Sequence, residues 1–276
     1  MNYLLGLFIG ALAGVHASTW GMYKDSPHEG FTWAKYLRST WFSAVIGLLV
    51  AAWTNIDLTN FSNVAVFFAV VYVTERALME FYKTFLRTED QSKYFIPMQF
   101  HIFGKVVESK SSRLWLGAGY LIGVLAVVFG LTWFQNADHG LSAWTVVLII
   151  GSIGGWISAF GGAWKDAPLE GFQIFKFFRS PLMALAYAFI LAHFSHNYLF
   201  ISMGGLGYTI ASTETYKTFF FPSKPRGKFA GKPIVYPDML SMRQRFVPLY
   251  VLIWIGIIAS FVLGFMGPHD GLLSFV

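Results

Sequence analysis

The stretch Gly21-Met22-Tyr23-Lys24-Asp25-Ser26-Pro27-His28-Glu29-Gly30-Phe31 returns without a gap as Gly162-Ala163-Trp164-Lys165-Asp166-Ala167-Pro168-Leu169-Glu170-Gly171-Phe172. The offset is 141 residues, and the likeness runs past the quoted segment. Gly10 and Gly14 recur upstream as Gly151 and Gly155, and Lys35, Arg38 and Ser39 recur downstream as Lys176, Arg179 and Ser180. Twelve of the thirty residues between positions 10 and 39 are identical at this offset, which chance does not supply. A second block, Glu80-Phe81-Tyr82-Lys83-Thr84-Phe85, returns as Glu214-Thr215-Tyr216-Lys217-Thr218-Phe219 at an offset of 134. The second copy is therefore seven residues shorter between the two blocks. The loss fits the loop around 55–63. A repeat of this kind fixes the architecture before any finer reading. It divides the chain into two related units, 1–137 and 138–276, each ending near a similar short turn (Asp138-His139-Gly140-Leu141 and His269-Asp270-Gly271-Leu272).

The composition of these units suits a bilayer. Only 12% of the 276 residues are charged, against about 25% in an ordinary soluble domain, while 55% are apolar and 19% aromatic. Eight apolar runs stand out, at 2–21, 40–56, 60–82, 114–135, 142–163, 181–196, 198–220 and 246–267. Most approach the roughly 20 residues needed to cross the hydrocarbon core, and each should be helical because a backbone in lipid must satisfy its own hydrogen bonds. The expected fold is an all-α integral membrane protein of eight transmembrane helices, arranged as two parallel four-helix repeats. An even number of crossings leaves both units in the same orientation, related by a pseudo-two-fold axis along the membrane normal.

Charge tests that count independently. All twenty Lys and Arg residues fall in or beside 24–38, 83–113, 165–179 and 217–245, with Arg76 near the end of the third run. The alternate connections carry only Asp57, Asp138 and Asp270. The positive-inside rule puts the basic loops in the cytoplasm and both termini on the non-cytoplasmic side of a bacterial-type inner or plasma membrane. The first run follows Met1-Asn2-Tyr3 with no basic segment before it, and it reads as a retained span. Topology explains the net charge of +6, so the expected partners are membrane lipids and proteins of a membrane complex, with no nucleic acid. The chain has no cysteine, which excludes disulfides, zinc thiolates and iron–sulfur clusters.

The chemistry-bearing residues lie mainly in the duplicated blocks. Ionisable groups at membrane depth are costly and point to function. Lys24, Asp25, Glu29, Lys35 and Arg38, with their counterparts Lys165, Asp166, Glu170, Lys176 and Arg179, form the candidate ligand-binding set. Converging at the cytoplasmic mouth, they would suit a zwitterionic or phosphate-bearing group, or they would pair with one another. A purely structural reading is also open. Ser26 and Glu29 stand at capping-box spacing around Pro27, and a short interfacial helix would follow. In that helix Phe31 or Phe172 would face lipid, and Lys35, Arg38, Lys176 and Arg179 would snorkel to headgroups. Glu80 with Lys83, and Glu214 with Lys217, share a helix face three residues apart and are the candidate gating or ion-pair residues. Glu75 and Arg76 have no charged counterpart, since Thr209 and Ile210 stand there.

Gly10 and Gly14, with Gly151, Gly154, Gly155, Gly161 and Gly162, are expected to form the packing seam between the two units. His193 and His196 have metal-compatible spacing, with His139 or His269 as further donors. Without thiols or a carboxylate pattern, no metal or cofactor is assigned. His16 is matched by Ile157 and is expected to be hydrogen-bonded within the packing. No nucleophile elbow, zinc-protease, Walker or dinucleotide motif is present, and the polar loops near 86–112 and 221–245 are too short for a soluble catalytic domain. The expected function is a transporter or channel with its site or gate at the duplicated segments. The alternatives are a non-catalytic helical subunit of a larger membrane complex and a membrane-embedded enzyme acting on a phosphorylated lipid. Intact duplication weighs against the enzyme, because reacting centres usually break internal symmetry.

Overall fold

Each of the eight apolar runs forms a helix in the computed structural model, which describes residues 1–223 and 227–274. They are α1 (Asn2–Glu29), α2 (Trp33–Thr54), α3 (Phe61–Phe81), α4 (Lys110–Asn136), α5 (Ala143–Glu170), α6 (Ile174–Leu191), α7 (Tyr198–Phe219) and α8 (Val247–Met266). Six are long and apolar enough to cross a membrane, α8 together with the turn before it, and the chain is a multi-pass membrane protein. The other two, α3 and α7, lie at the centre and are the most extensively buried. Protein rather than lipid surrounds them, so they tolerate Glu75, Arg76, Thr209 and Thr213.

The connections gather at two ends. At one, the Leu58 amide meets the Asn2 side chain, the Asn60 amide group donates to the Pro268 carbonyl, and the Leu272 amide donates to the Ser195 carbonyl. At the other lie the basic loops. Residues 87–109 carry a short hairpin, His101–Ile102 against Lys105–Val106, and the loop after α7 returns across the end of α1. Residues 224–226 of that second loop, with Lys224 and Arg226, lie outside the described residues.

Packing corrects the expected glycine seam. Gly10 and Gly14 press on the backbone of α2 at Ser43, Gly47, Ser39 and Thr40, where no side chain would fit. Gly155 does the same against Ser180 and Pro181 of α6. These glycines join α1 to α2 and α5 to α6. Gly161 and Gly162 meet nothing within 4 Å of an added Cβ. At the centre α3 packs against α7, where Gly207 lies on the Ala69 carbonyl and the Tyr208 hydroxyl donates to the Ala65 carbonyl at 2.7 Å. Lipid tails are as apolar as leucine, so association here relies on close van der Waals contact and buried hydrogen bonds. α8 crosses to pack on α3, and α4 packs on α7.

The capping-box expectation also fails. α1 continues through Pro27 to Glu29 and stops at Gly30, whose φ of 73° favours glycine. α5 likewise contains Pro168 and stops at Gly171 with φ 83°. Proline cannot donate to the carbonyl four residues earlier, and for Pro27 that carbonyl, Tyr23, instead accepts from Arg243 Nη1 at 3.0 Å. No separate interfacial helix follows. Lys35 and Arg38 lie in the opening turns of α2, which is capped by the Thr32 hydroxyl accepting from the Lys35 amide at 3.3 Å. Phe31 packs on Trp33, Tyr36 and Phe246 rather than facing only lipid. α5 is interrupted at Ser152 (φ −92°, ψ −10°), amid the glycines that bring it onto α6.

Candidate functional site

The last turns of α1 and α5 and the ends of α3 and α7 bring the two duplicated blocks together crosswise. Lys24 Nζ lies 3.2 Å from Glu214 Oε2, and Lys165 Nζ lies 3.7 Å from Glu80 Oε2. Each lysine thus reaches the glutamate that belongs to the other sequence copy. Each glutamate also meets the lysine one turn on, Lys83 at 3.1 Å and Lys217 at 3.3 Å. The helix-face pairs expected from spacing are present, and the cross pairs are added to them. The Lys24–Glu214 pair is the better enclosed, with 22% and 16% of the side chains exposed against 30% and 49% for Lys165 and Glu80. Lys24 also stands over the Trp20 ring, 5.0 Å from its centroid.

The remaining carboxylates of the motif do not converge on one centre. Asp25 and Glu29 are held by Lys228 at 2.9 and 3.4 Å. Asp166 and Glu170 are held by Lys176 at 3.2 and 2.9 Å. The carboxylates of the first copy are therefore bridged by a lysine from the far loop, those of the second by a lysine of its own. Lys35 and Arg38 are exposed, and Arg179 is partly buried.

The long loops cross over in the same way. The loop after α7 lies on the end of α1: the Val235 and Tyr236 amides both donate to the Pro27 carbonyl, and the His28 ring nitrogen lies 2.8 Å from the Pro233 carbonyl. The loop after α3 lies on α5: Trp164 Nε1 donates to the His101 carbonyl at 3.2 Å, and Gly104 abuts Leu169. The two loops meet where Tyr94, Met98 and Phe229 form a small apolar cluster. The Tyr94 hydroxyl lies 2.7 Å from Glu89 and 3.0 Å from Glu29. Burial, then the Glu89 hydrogen bond and the neighbouring carboxylates, push the Tyr94 phenol well above its usual value. For Glu89, burial opposes ionisation, but the Tyr94 hydrogen bond and the Arg87 guanidinium prevail and hold the carboxyl below its usual range. Burial and nearby Lys165 lower His101 below its ordinary 6.5.

Two cavities flank Glu214 and Lys217. A small one of about 130 Å³ lies among α5, α6 and α7, with Asp166, Lys176, Arg179 and Thr209 in its wall. A larger one of about 430 Å³ lies between the end of α1, the end of α7 and the following loop. Deeper in the bundle, Glu75 and Arg76 are both buried and paired with each other. The expectation for His16 is corrected. It is fully buried among Tyr250, Tyr72, Trp254 and Phe68, its ring stacked 4.4 Å from that of Tyr250, and neither ring nitrogen has a hydrogen-bond partner. Among the described residues no three metal-ligating side chains gather. His196 instead lies 2.9 Å from Asp270, and His139 lies 3.2 Å from the Tyr198 hydroxyl.

Lys228, Tyr94, Arg243 and Gly207 escaped the sequence reading. Lys228, Tyr94 and Arg243 fall outside the duplicated blocks. Gly207 belongs to the visible run Gly204-Gly205-Leu206-Gly207, but Val70 and Val73 stand at the positions matching Gly204 and Gly207, so a search for duplicated glycines passes it by. Compared with protein-family models, curated proteins and solved structures, the chain matches none.

Proposed function

We propose that the chain is a transporter or channel built from two parallel four-helix units, 1–137 and 138–276, with its gate at the basic end. The carrying observation is the reciprocal ion pairing of Lys24 with Glu214 and of Lys165 with Glu80. A pair repeated in both directions across the α3–α7 junction ties each unit to the other. Any rocking of one unit against its mate at this end must break both ties, which is how a gate between parallel repeats works. The positive-inside rule supports a cytoplasmic position for this end, with both termini on the far side of a bacterial-type inner or plasma membrane. Against the lipid-enzyme alternative, Asp25, Glu29, Asp166 and Glu170 are each occupied by a lysine.

The test uses the absence of native cysteine. Thr209 is buried, 2% exposed, beside the small cavity. Thr209→Cys should resist a water-soluble maleimide in the otherwise native chain and react readily once Glu80→Gln and Glu214→Gln are added. Proteoliposomes carrying that double variant should leak small solutes. Unchanged labelling together with tight liposomes would refute the gate.

A further inference from the structure

The larger cavity combines size, charge and unsatisfied polar groups in a way the gate does not require. Lys24, Lys217 and Arg243 all line it, with His28 beside them, and no carboxylate is part of its wall. Glu214 stands behind the two lysines and is shared by both. Arg243 makes no ion pair with a carboxylate among the described residues. Its guanidinium donates to two neutral carbonyls, Tyr23 at 3.0 Å and Pro222 at 3.3 Å, and lies over the Tyr23 ring. Lys24 also has Asp25 and Glu80 within electrostatic reach, so Arg243 is the wall cation whose charge no neighbouring carboxylate offsets among the described residues.

Two lining groups have unused hydrogen-bonding capacity. Among the described residues, the Thr218 hydroxyl, in a residue 3% exposed, has no partner, and neither has Arg243 Nε, in a residue 7% exposed. Buried polar atoms are rarely left unpaired, and each such atom asks for a missing partner. Ile234, Leu240 and Phe221 complete the wall with apolar surface. A volume of about 430 Å³ falls within the range of small-ligand sites, which join apolar walls to a few placed polar groups.

We propose that this chamber binds a phosphate monoester, with the doubly charged phosphoryl group against Lys24, Lys217 and Arg243 and the organic part against Leu240 and Ile234. Guanidinium and ammonium donors supply the charge-assisted bonds that phosphate oxygens accept. The same chemistry is presented by a soluble phosphorylated metabolite and by the headgroup of a monoester lipid. The proposal stands apart from the gate, since it concerns a site already formed while the ion pairs are closed.

The experiment is native mass spectrometry of the full chain in uncharged detergent, titrated with glycerol 3-phosphate and, separately, with short-chain phosphatidic acid. A one-to-one complex with glycerol 3-phosphate identifies a soluble ester, and a complex with phosphatidic acid alone identifies a lipid headgroup. In either case Leu240→Trp, which fills the chamber and touches no charge, should weaken the complex about tenfold or more. Arg243→Gln should do likewise through loss of a charge-assisted bond. No one-to-one complex with either probe, or a complex that Leu240→Trp leaves intact, overturns the proposal. Because Leu240→Trp alters no gate residue, its result is read independently of the maleimide labelling.

Discussion

Replacing Lys24 by Met, Glu214 by Gln, and both together gives a double-mutant cycle on the better enclosed of the two cross pairs. Fully exposed ion pairs contribute about 0–1 kcal/mol, whereas removing one partner of a buried pair costs about 3–5 kcal/mol. With side chains 22% and 16% exposed, this pair belongs between those limits. The single changes should not be equal. Lys24→Met leaves Glu214 with Lys217 at 3.3 Å, so about 1 kcal/mol is expected. Glu214→Gln strands two lysines beside each other and should cost about 2–3 kcal/mol. Their coupling should be about 1–2 kcal/mol. The matching cycle on Lys165 and Glu80, at 3.7 Å and with 30% and 49% exposed, should show less than about 1 kcal/mol. The assay is reversible unfolding in mixed micelles of rising dodecyl sulfate content, followed by tryptophan fluorescence. Additivity within about 0.5 kcal/mol at the first pair, or stronger coupling at the second, would refute the reasoning.

Arg243→Met should destabilise by about 1–3 kcal/mol by leaving the Tyr23 carbonyl short of a donor. Pro27→Ala restores the helical amide, so the two changes together should cost less than their sum in the same unfolding assay. His101 Nδ1 accepts from the Gly104 amide at 3.2 Å and needs to stay neutral. Its pKa is lowered in the folded chain, so the undocked hairpin takes up the proton first. Docking should therefore be unaffected above the ordinary value of 6.5 and weaken as the pH falls below it. Amide exchange at Gly104 should rise in that window, while His101→Asn should remove the pH dependence. Single cysteines at Thr59 and Ser92 should label from opposite sides of a sealed vesicle. Labelling of both from one side would overturn the proposed topology.

The helices and the two ends of the molecule were legible because lipid imposes a strong rule on each span, and because lysine and arginine mark one side. Of the residues singled out in the duplicated blocks, Lys24 meets Glu214 and Lys165 meets Glu80, whereas Lys35 and Arg38 lie exposed outside these pairs. Local spacing pairs Glu80 with Lys83, whereas only the three-dimensional arrangement brings Lys165, 85 positions later, to Glu80. The proline was misread for a physical reason. A proline usually opens a helix because its missing amide is least costly there, yet Pro27 sits inside one because Arg243, distant in sequence, bonds to the carbonyl it leaves free. The glycine motif identified close approach without saying to which helix. Gly10 and Gly14 serve α2, while Gly207, which has no glycine counterpart, serves the central junction.

The crossing of the second long loop onto the end of α1 bears on how the protein is made. Tyr23 and Arg243 are separated by 220 positions, and Asp25 waits for Lys228 in the same way. At about 5–20 residues per second during synthesis, α1 is in the membrane for some tens of seconds before its last turn receives these partners. A nascent chain arrested before residue 228 therefore carries Asp25 without the lysine that pairs with it in the folded chain. The last turn of α1 thus reaches its final set of contacts only when translation is nearly complete.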